Sequence, residues 1–293
     1  MMPGMQTFAL LLIIFSALMH AFWNLLVKQS RDKTVFIWWM FLSAWLLMSL
    51  LTWVLGLFPD LTLRSVLLAA AAAACFSLYH WLGGYAYREG ELSVTYPLAQ
   101  TAMLYVPLWG VLFLGEQLTL IGGSGILLIA LGAYSIQLRE LTYGAILYPF
   151  TRLRSPSVRA ALLAGFVYSI GAVIDKIGVD AYSAYRFTYV LVFFMLLFMT
   201  LNLLRPSYRG RVLQEWHYRP KLLICSGPVI LSSFLSFRLG LQLAPVSYAL
   251  PVRQVSLLIG VVIGILFLGE SFGGIRLTSA GLILSGVFLI WLG

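Results

Sequence analysis

Apolar runs long enough to cross a membrane follow one another along the whole of this chain. A helix needs about 20 apolar residues to span the hydrocarbon of a bilayer, whereas a strand of a membrane barrel is about half as long and alternates apolar with polar residues. The 293 residues contain ten such runs, and none of them alternates. The runs lie near 6–28, 35–57, 64–87, 92–114, 119–138, 159–180, 184–204, 221–243, 246–268 and 273–292. Because only 10% of the residues are charged, we predict an all-α polytopic membrane protein with ten transmembrane helices.

The cysteines and histidines form no pattern typical of a metal site or a disulfide framework. Cys75 and Cys225 fall inside predicted helices without Cys-x-x-Cys spacing, and the three histidines are scattered along the chain. We therefore expect neither a metal nor a cofactor. The first run is too long for the apolar core of a signal peptide, and residues 1–6 carry no Lys or Arg. The first helix is therefore expected to stay in the protein.

The basic residues lie almost entirely on one side of the predicted bundle. If successive helices alternate in direction, the odd-numbered connections share a side, and that side holds most of the residues behind the net charge of +9. They are Lys28, Arg31, Lys33, Arg88, Arg139, Arg152, Arg154, Arg159, Arg205, Arg209, Arg211, Arg219, Lys221 and Arg276. The opposite side holds Arg64, and Arg186 near a helix end. Because positive loops stay in the cytoplasm, we expect an inner (plasma) membrane protein with both termini in the periplasm and no nucleic-acid partner.

The second half of the chain repeats the first at a shift of 154 residues. The segment YPLAQTAMLYVPLWGVLFLGE (96–116) aligns with LPVRQVSLLIGVVIGILFLGE (250–270), proline on proline and glutamine on glutamine. A repeat of five helices inverts its second copy, and inverted repeats are characteristic of secondary transporters; the alternative is a duplication that only builds a stable bundle. We therefore divide the chain into a first five-helix repeat (1–140), a cytoplasmic linker (141–158) and a second five-helix repeat (159–293).

These features together resemble a known family. A proline early in the fourth and ninth helices, Leu-Gly-Glu closing each, and a helix of small residues after each are similar to the EamA-like branch of the drug/metabolite transporter superfamily. The segment SALMHAFWNLLVK (16–28) also resembles the first helix of that family. The resemblance implies a carrier of small metabolites, often amino acids or their relatives, and many such carriers are exporters. It also implies that the fifth and tenth helices stand outside the substrate cavity.

Two arginines lie deep in the eighth and ninth predicted helices. Arg238 is seven residues before Ala244-Pro245 and Arg253 is eight after it, which places both about 10–12 Å below the turn. A charge at such depth is costly and usually faces a cavity, and the first repeat has no arginine at the matching positions. One interpretation is a pair that binds an anion through planar guanidinium forks. The other is a structural ion pair with Asp175.

Further polar and aromatic candidates lie inside the predicted helices. Prolines free backbone carbonyls, glutamines must find partners in an apolar setting, and His20 lies near the predicted mid-membrane on one face with Asn24. An imidazole there can bind substrate or carry a proton, or can simply be packed. The candidates for substrate binding are Arg253, Arg238, Gln254, Gln100, His20, Asn24, Tyr96, Tyr248 and Tyr79, and those for coupling or gating are His20, Asp175, Pro97 and Pro251. Glu116 and Glu270, which close two helices, are expected to cap a helix or form a salt bridge.

The sequence favours a secondary transporter, in the exporting direction, for a small polar and carboxylate-bearing metabolite such as an amino acid. We expect a monomer in the lipid bilayer whose partner is its small-molecule substrate and whose mechanism is alternating access through a central cavity. A flippase for lipid or lipid-linked headgroups is the alternative on the same scaffold. An intramembrane enzyme is less favoured, because the chain has no paired intramembrane aspartates, no nucleophile motif and no metal-binding motif.

Overall fold

The computed structural model describes residues 5–59, 61–136, 138, 140, 142–208, 210–268 and 273–293. Within these ranges the chain is helical, with turns and short loops between the helices and no strand. The helices are α1 Thr7–Lys28, α2 Lys33–Leu55, α3 Leu63–Glu89, α4 Leu92–Ala99, α5 Ala102–Leu114, α6 Leu120–Ser135, α7 Tyr143–Thr151, α8 Pro156–Ala181, α9 Ala184–Leu203, α10 Arg211–Tyr218, α11 Pro220–Leu243, α12 Val246–Val252, α13 Val255–Leu268 and α14 Gly274–Leu292. A single 3-10 turn, Pro206–Tyr208, precedes α10.

Seven of the described helices are long and apolar enough to cross a membrane on their own. They are α1, α2, α3, α8, α9, α11 and α14. The predicted fifth run is the shorter helix α6, and the predicted fourth and ninth runs are each divided, into α4 with α5 and α12 with α13. The all-helical membrane class is therefore confirmed, while the count of ten is met only if each divided run is taken as one span and the 16-residue helix α6 is counted as a further span.

The two divisions occur at matching positions of the repeat. In the second half the backbone changes from α-type to 3-10-type bonds, with the Gln254 amide 2.9 Å from the Pro251 carbonyl oxygen and the Ser256 amide 3.1 Å from that of Arg253. In the first half Met103 donates in the same way to Gln100, at 3.2 Å. Each break follows within three residues of a proline shared by the two halves, Pro97 or Pro251, a residue that has no amide hydrogen and crowds the turn before it.

The two halves interlock rather than lie side by side. The third helix of each half packs on the first helix of the other half: α3 packs on α8, and α11 packs on α1. The repeat makes these two contacts equivalent. The contact of α2 with α11 and that of α9 with α3 are equivalent in the same way. Exchange of this kind is expected when two inverted copies meet across a pseudo-two-fold axis.

The last helices of the halves, α6 and α14, pack against each other through small residues. A Cβ atom built on Gly125 would lie 2.6 Å from the carbonyl oxygen of Gly286, and one built on Gly132 would lie 2.8 Å from that of Ser279. The two helices run antiparallel, because Gly125 meets the later residue and Gly132 the earlier one. Without a methyl group at these positions, the backbones approach closely and dispersion contacts stabilise the pair.

This close approach predicts opposite effects for two alanine substitutions on the same helix. Gly125→Ala forces α6 and α14 apart, and we expect it to lower the free energy of unfolding by about 1–3 kcal/mol. The matched control is Gly123→Ala, because nothing lies within 4 Å of a Cβ at Gly123 and alanine favours a helix by about 0.5–1 kcal/mol over glycine. Thermal unfolding of the purified proteins in detergent measures both. Equal melting temperatures for the two variants would show that the helices are not packed as described.

Contacts between loops join the first connection to the seventh and the third connection to the fifth. Glu215 of α10 is buried and its carboxylate accepts hydrogen bonds from the backbone amides of Arg31 (3.1 Å) and Asp32 (2.9 Å), which follow α1. The Tyr148 hydroxyl of α7 donates to Glu91, which follows α3, at 3.2 Å. The basic loops predicted to share one side of the membrane are thus brought together.

The other end carries the even-numbered connections and both ends of the described chain. The hydroxyls of Thr62 and Tyr182, on the second and sixth connections, are 3.0 Å apart. The indole of Trp291 donates to Thr7 at 3.2 Å, which joins the end of α14 to the start of α1. The helices therefore alternate in direction, as the placement of the basic residues requires. That the basic end faces the cytoplasm stays a prediction.

Candidate substrate site

Arg253 lies at the break between α12 and α13, where it is half-buried. Its guanidinium carbon is 4.4 Å from the ring centre of Phe237 on α11, so the planar group is stacked on an aromatic face. One terminal nitrogen, Nη2, is 3.3 Å from Nδ1 of His20 on α1. The Nε atom is buried and has no hydrogen-bond partner among the described residues. Of the three described side-chain atoms in that condition, it is the one that carries charge.

The Nδ1 atom of His20 faces Arg253 and acts as a hydrogen-bond acceptor. Nδ1 receives a hydrogen bond from the indole of Trp23 at 3.2 Å and faces the Arg253 guanidinium, and both of these groups are donors only. The imidazole is therefore neutral, with its proton on Nε2. The ring of Trp23 also meets that of His20 edge-on, with centroids 4.8 Å apart. His20 is held in place by these two contacts.

Arg238 is committed to an ion pair. Its Nε atom is 2.8 Å from Oδ1 of Asp175 on α8, and the two side chains are only 4% and 2% exposed. The guanidinium also lies over the ring of Phe234, one turn earlier on α11. The expectation that Arg238 binds substrate is not supported by this placement, because a buried carboxylate already neutralises the charge. Of the two interpretations of Arg238, the structural ion pair is the one observed, and Asp175 is its partner.

Gln100 and Gln254, which are equivalent in the repeat, contact each other. The side-chain amide of Gln254 donates to the side-chain oxygen of Gln100 at 3.3 Å, and both side chains are half-buried. Two equivalent residues can touch only where the pseudo-two-fold axis passes between them. Gln100 lies at the break between α4 and α5, and Gln254 lies at the break between α12 and α13. The two breaks therefore meet at this axis.

Aromatic side chains from α3 and α8 lie within electrostatic range of Arg253. These side chains are Tyr79 and Tyr168, and their rings meet edge-on with centroids 4.8 Å apart. Tyr79 also contacts His80, and Tyr168 contacts Phe76. The elements α1, α3, α8, α11 and α12 thus converge on one charged group. We call Arg253, His20, Phe237, Tyr79 and Tyr168 the arginine site.

The remaining predicted site residues lie apart from this cluster or outside the description. Tyr248 is fully buried and its hydroxyl accepts from the backbone amide of Thr119 at 3.0 Å, so it packs against α6 and does not line the arginine site. Asn24 is exposed and donates to the His20 carbonyl of its own helix. Pro251 is buried in α12. The side chains of Tyr96 and Pro97 lie outside the described residues.

Glu116 caps a helix of the other repeat. Gly115 ends α5 in the left-handed conformation, with φ +67°, which favours glycine. The turn directs the Glu116 carboxylate to the backbone amides of Val246 (2.7 Å) and Ser247 (3.0 Å), the first residues of α12. A carboxylate stabilises the positive end of a helix, so capping, the expected role, is confirmed for Glu116. Glu270 lies outside the described residues.

A wide surface hollow lies elsewhere in the molecule. It has a volume of about 510 Å³ and is lined by Arg31, Gly210, Leu213, Gln214, His217 and Tyr218 at the basic end of the bundle. None of the predicted site residues borders it. The half-buried guanidinium of Arg253, whose buried Nε atom has no partner among the described residues, points to a binding site more strongly than this open surface does, because an unsatisfied buried donor is costly unless a partner is supplied.

The profile of one protein family matches both halves of the chain, at residues 7–138 and 156–292. Its description is the EamA-like transporter family. The chain belongs to the EamA-like transporter family. It is therefore a multi-pass membrane transporter of the drug/metabolite type.

Solved structures share the fold of this EamA-like transporter. Matches are found to 28 chains of known structure. One, described as the crystal structure of a protein, superposes with a TM-score of 0.74 at 13% sequence identity and covers 96% of each chain. At that identity the likeness establishes the fold and no more. No curated protein matches this EamA-like transporter with significant similarity.

Phe237 of the arginine site, and Trp23, which contacts His20, were not among the candidates predicted for this EamA-like transporter from its sequence. Phe237, which lies beneath Arg253, directly precedes Arg238, and nothing in its spacing marks it as the partner of the other arginine. Trp23 could have been found, because it is three residues after His20 and helix residues three apart share a face. Residues that share a face of one helix can be predicted from the sequence, whereas the contact of Phe237 on α11 with Arg253 on another helix cannot.

Proposed function

We propose that this EamA-like transporter is a secondary carrier that moves a small anionic metabolite by binding it at Arg253. The observation that carries the proposal is the guanidinium of Arg253, half-buried at a helix break with an unsatisfied Nε donor. A carboxylate or phosphate-type group can accept two parallel hydrogen bonds from such a planar fork. It would satisfy the orphaned donor and neutralise the charge in one step.

The position of Arg253 supports transport rather than static binding. In carriers built from inverted repeats, substrate sites lie near the midplane and are formed by discontinuous helices. Arg253 lies at such a discontinuity, and the hydrogen bond between Gln100 and Gln254 lies where the two halves meet. Rocking of one half against the other about this contact would expose Arg253 first to one side of the membrane and then to the other. We propose the exporting direction on the basis of the family resemblance.

His20 is proposed to couple the anion to a proton. In the structure its Nδ1 atom faces Nη2 of Arg253 at 3.3 Å. An anion that takes over the guanidinium donors would release this contact and would place a negative charge beside the imidazole. Protonation of a histidine is favoured by a nearby anion. One proton would then move with each monovalent anion, and the transport step would carry no net charge.

The coupling proposal predicts a separation of two activities. His20→Gln keeps an acceptor for Arg253 but removes the titratable nitrogen, so we expect pH-gradient-driven accumulation to be lost while exchange of unlabelled for labelled substrate continues. Both are measured in liposomes that contain the purified protein. The matched control is His217→Gln, because His217 lies on the exposed surface of α10 and should leave both activities intact. Undiminished accumulation in His20→Gln would contradict the coupling proposal and would mean that His20 only packs against its neighbours.

The proposed function is tested by transport of a labelled metabolite panel. Purified protein is placed in liposomes, and uptake of each compound is measured with and without an imposed pH gradient. We expect anionic metabolites to be taken up and to exchange across the membrane. Flipping of a labelled anionic lipid in the same liposomes, without uptake of any soluble anion, would favour a flippase and would contradict the proposal.

A further inference from the structure

We infer that the substrate is an anion without an ammonium group, which excludes zwitterionic amino acids. This inference rests on the proposed function and sharpens its substrate class. It is narrower than the expectation of a carboxylate-bearing metabolite such as an amino acid or a related compound. The evidence is the balance of charge around Arg253.

The acidic residues of the chain are few, and their positions are known from the sequence. There are ten. Five of the described ones lie in loops, at caps or in the short helix α10, and they are Asp32, Glu91, Glu116, Glu140 and Glu215. Asp60 and Glu270 are outside the described residues, and Glu270 is 17 positions from Arg253 in the sequence. The other three, Glu89, Asp175 and Asp180, lie within spanning helices.

Each of these three acids already has a basic partner. Glu89, at the last position of α3, is 2.8 Å from Nε of Arg88. Asp180, near the end of α8, is 2.8 Å from Nζ of Lys176. Asp175 is deeper and holds Arg238 in the buried ion pair. Among the described residues, no carboxylate is left to receive a substrate ammonium group near Arg253.

The charge of the arginine site is therefore uncompensated and positive. Arg238 and Asp175 cancel each other, and His20 is neutral because Nδ1 accepts from donors that cannot accept in return. His80, the other titratable ring within electrostatic range of His20, can add only positive charge. A monoanion brings this site to neutrality before His20 takes up the proton proposed to move with it. A zwitterion does not, because its ammonium group adds back the charge that its carboxylate removes.

Aromatic rings can also hold an ammonium ion, and here they are engaged; a backbone carbonyl at the helix break can accept a hydrogen bond from an ammonium group but carries no charge to offset it. The face of Phe237 is covered by Arg253, while Tyr79 and Tyr168 contact each other. The interaction of a cation with an aromatic face is also weaker than the desolvation cost of burying an ammonium group that has no carboxylate partner. Repulsion from Arg253 opposes it further.

Matched pairs of compounds test the inference. Each pair keeps the carbon skeleton and the anionic group and exchanges only ammonium for hydroxyl: glycine with glycolate, alanine with lactate, leucine with 2-hydroxyisocaproate, and aminomethylphosphonate with hydroxymethylphosphonate. Uptake of all eight is measured in liposomes that contain the wild-type protein. In the pair whose skeleton fits best, we expect the hydroxyl compound to be taken up at least about tenfold more efficiently, since one unsatisfied charged group costs that much in binding. Protein-free liposomes correct for passive entry.

The outcomes separate this inference from the proposed function. Preference for the hydroxyl member, abolished in Arg253→Gln and kept in Arg64→Gln, supports both. Equal or better uptake of the amino member, still dependent on Arg253, overturns the inference and leaves the proposed function standing. Uptake that does not depend on Arg253, or uptake of no compound, overturns both. Arg64 is a suitable control because it is exposed, in the first turn of α3.

Discussion

Asp175→Asn is expected to lower the free energy of unfolding by about 3–5 kcal/mol, the usual cost of leaving one partner of a buried ion pair uncompensated. The pair with Arg238 is almost completely buried, so neither water nor lipid headgroups can replace the lost carboxylate. Because asparagine has nearly the same size as aspartate, the loss of stability would come from the removed charge and not from a change in side-chain volume. Thermal unfolding of the purified protein in detergent is the measurement.

Two further variants make this prediction specific. The double variant Arg238→Gln, Asp175→Asn removes both charges and should recover most of the stability, because a neutral pair has no desolvation cost to offset. Asp180→Asn on the same helix is the matched control, since Asp180 is 48% exposed in its pair with Lys176 and exposed pairs contribute about 0–1 kcal/mol. A stable Asp175→Asn protein would contradict this prediction. A double variant that is stable but binds substrate weakly would also contradict it, and either result would favour a role of Arg238 in substrate binding.

Arg253→Gln is expected to weaken substrate affinity by about ten- to a hundredfold, which corresponds to the 1.5–3 kcal/mol of a hydrogen bond to a charged group. Glutamine keeps a donor but loses the charge, the fork and the stacking on Phe237. Arg253→Lys should recover only part of the affinity, because an ammonium keeps the charge without the planar pair of donors. The concentration dependence of uptake into liposomes measures both, with Arg64→Gln as the exposed control.

The result that would contradict this prediction is a normal concentration dependence in Arg253→Gln. A second contradictory result is full recovery in Arg253→Lys, which would mean that a point charge is enough and that the guanidinium geometry has no role. Loss of folded protein is not expected. Arg253 has no carboxylate partner among the described residues, so its removal leaves no opposite charge buried.

The helical class and the repeat could be predicted because the bilayer dictates both length and composition. A segment in lipid must satisfy its own backbone hydrogen bonds, so ten apolar runs without alternation leave only helices. The matching prolines likewise predicted a disturbance in the fourth and ninth runs, and the structure places a break three residues after each. The position of a helix break can be predicted because it depends on residues that are adjacent in the sequence.

The partners of the intramembrane charges could not be predicted in the same way. Sequence position gives the depth of a side chain, at about 1.5 Å per residue, but not the direction in which a helix is turned. Arg238 and Arg253 were expected to share a role because their depths match. The rotation of α11 instead directs Arg238 to Asp175 and leaves Phe237 beneath Arg253. Tyr248, at a depth that suited a cavity wall, points to Thr119 for the same reason.

The charge asymmetry between the halves was the most informative sequence signal for the site. The scaffold repeats, and even its central glutamines contact each other, but neither arginine has a counterpart in the first half. Such asymmetry does not by itself mark a binding residue, because the buried Arg238–Asp175 ion pair is also confined to one copy. For Arg253 this asymmetry coincides with an unsatisfied donor, whereas for Arg238 it coincides with an equally unmatched Asp175.

The central claim, that Arg253 binds the transported anion, is tested most directly by ligand-dependent melting of the wild-type protein and Arg253→Gln. The ligand is the anion that the liposome panel identifies, at 100 times its wild-type dissociation constant. Wild-type protein should be stabilised by about 2.7 kcal/mol, and a variant with ten- to a hundredfold weaker affinity by only about 0.4–1.4 kcal/mol. Without ligand the two should melt at similar temperatures. A variant that melts far lower without ligand, yet gains the full wild-type stabilisation from it, would show that Arg253 supports the fold and not the substrate.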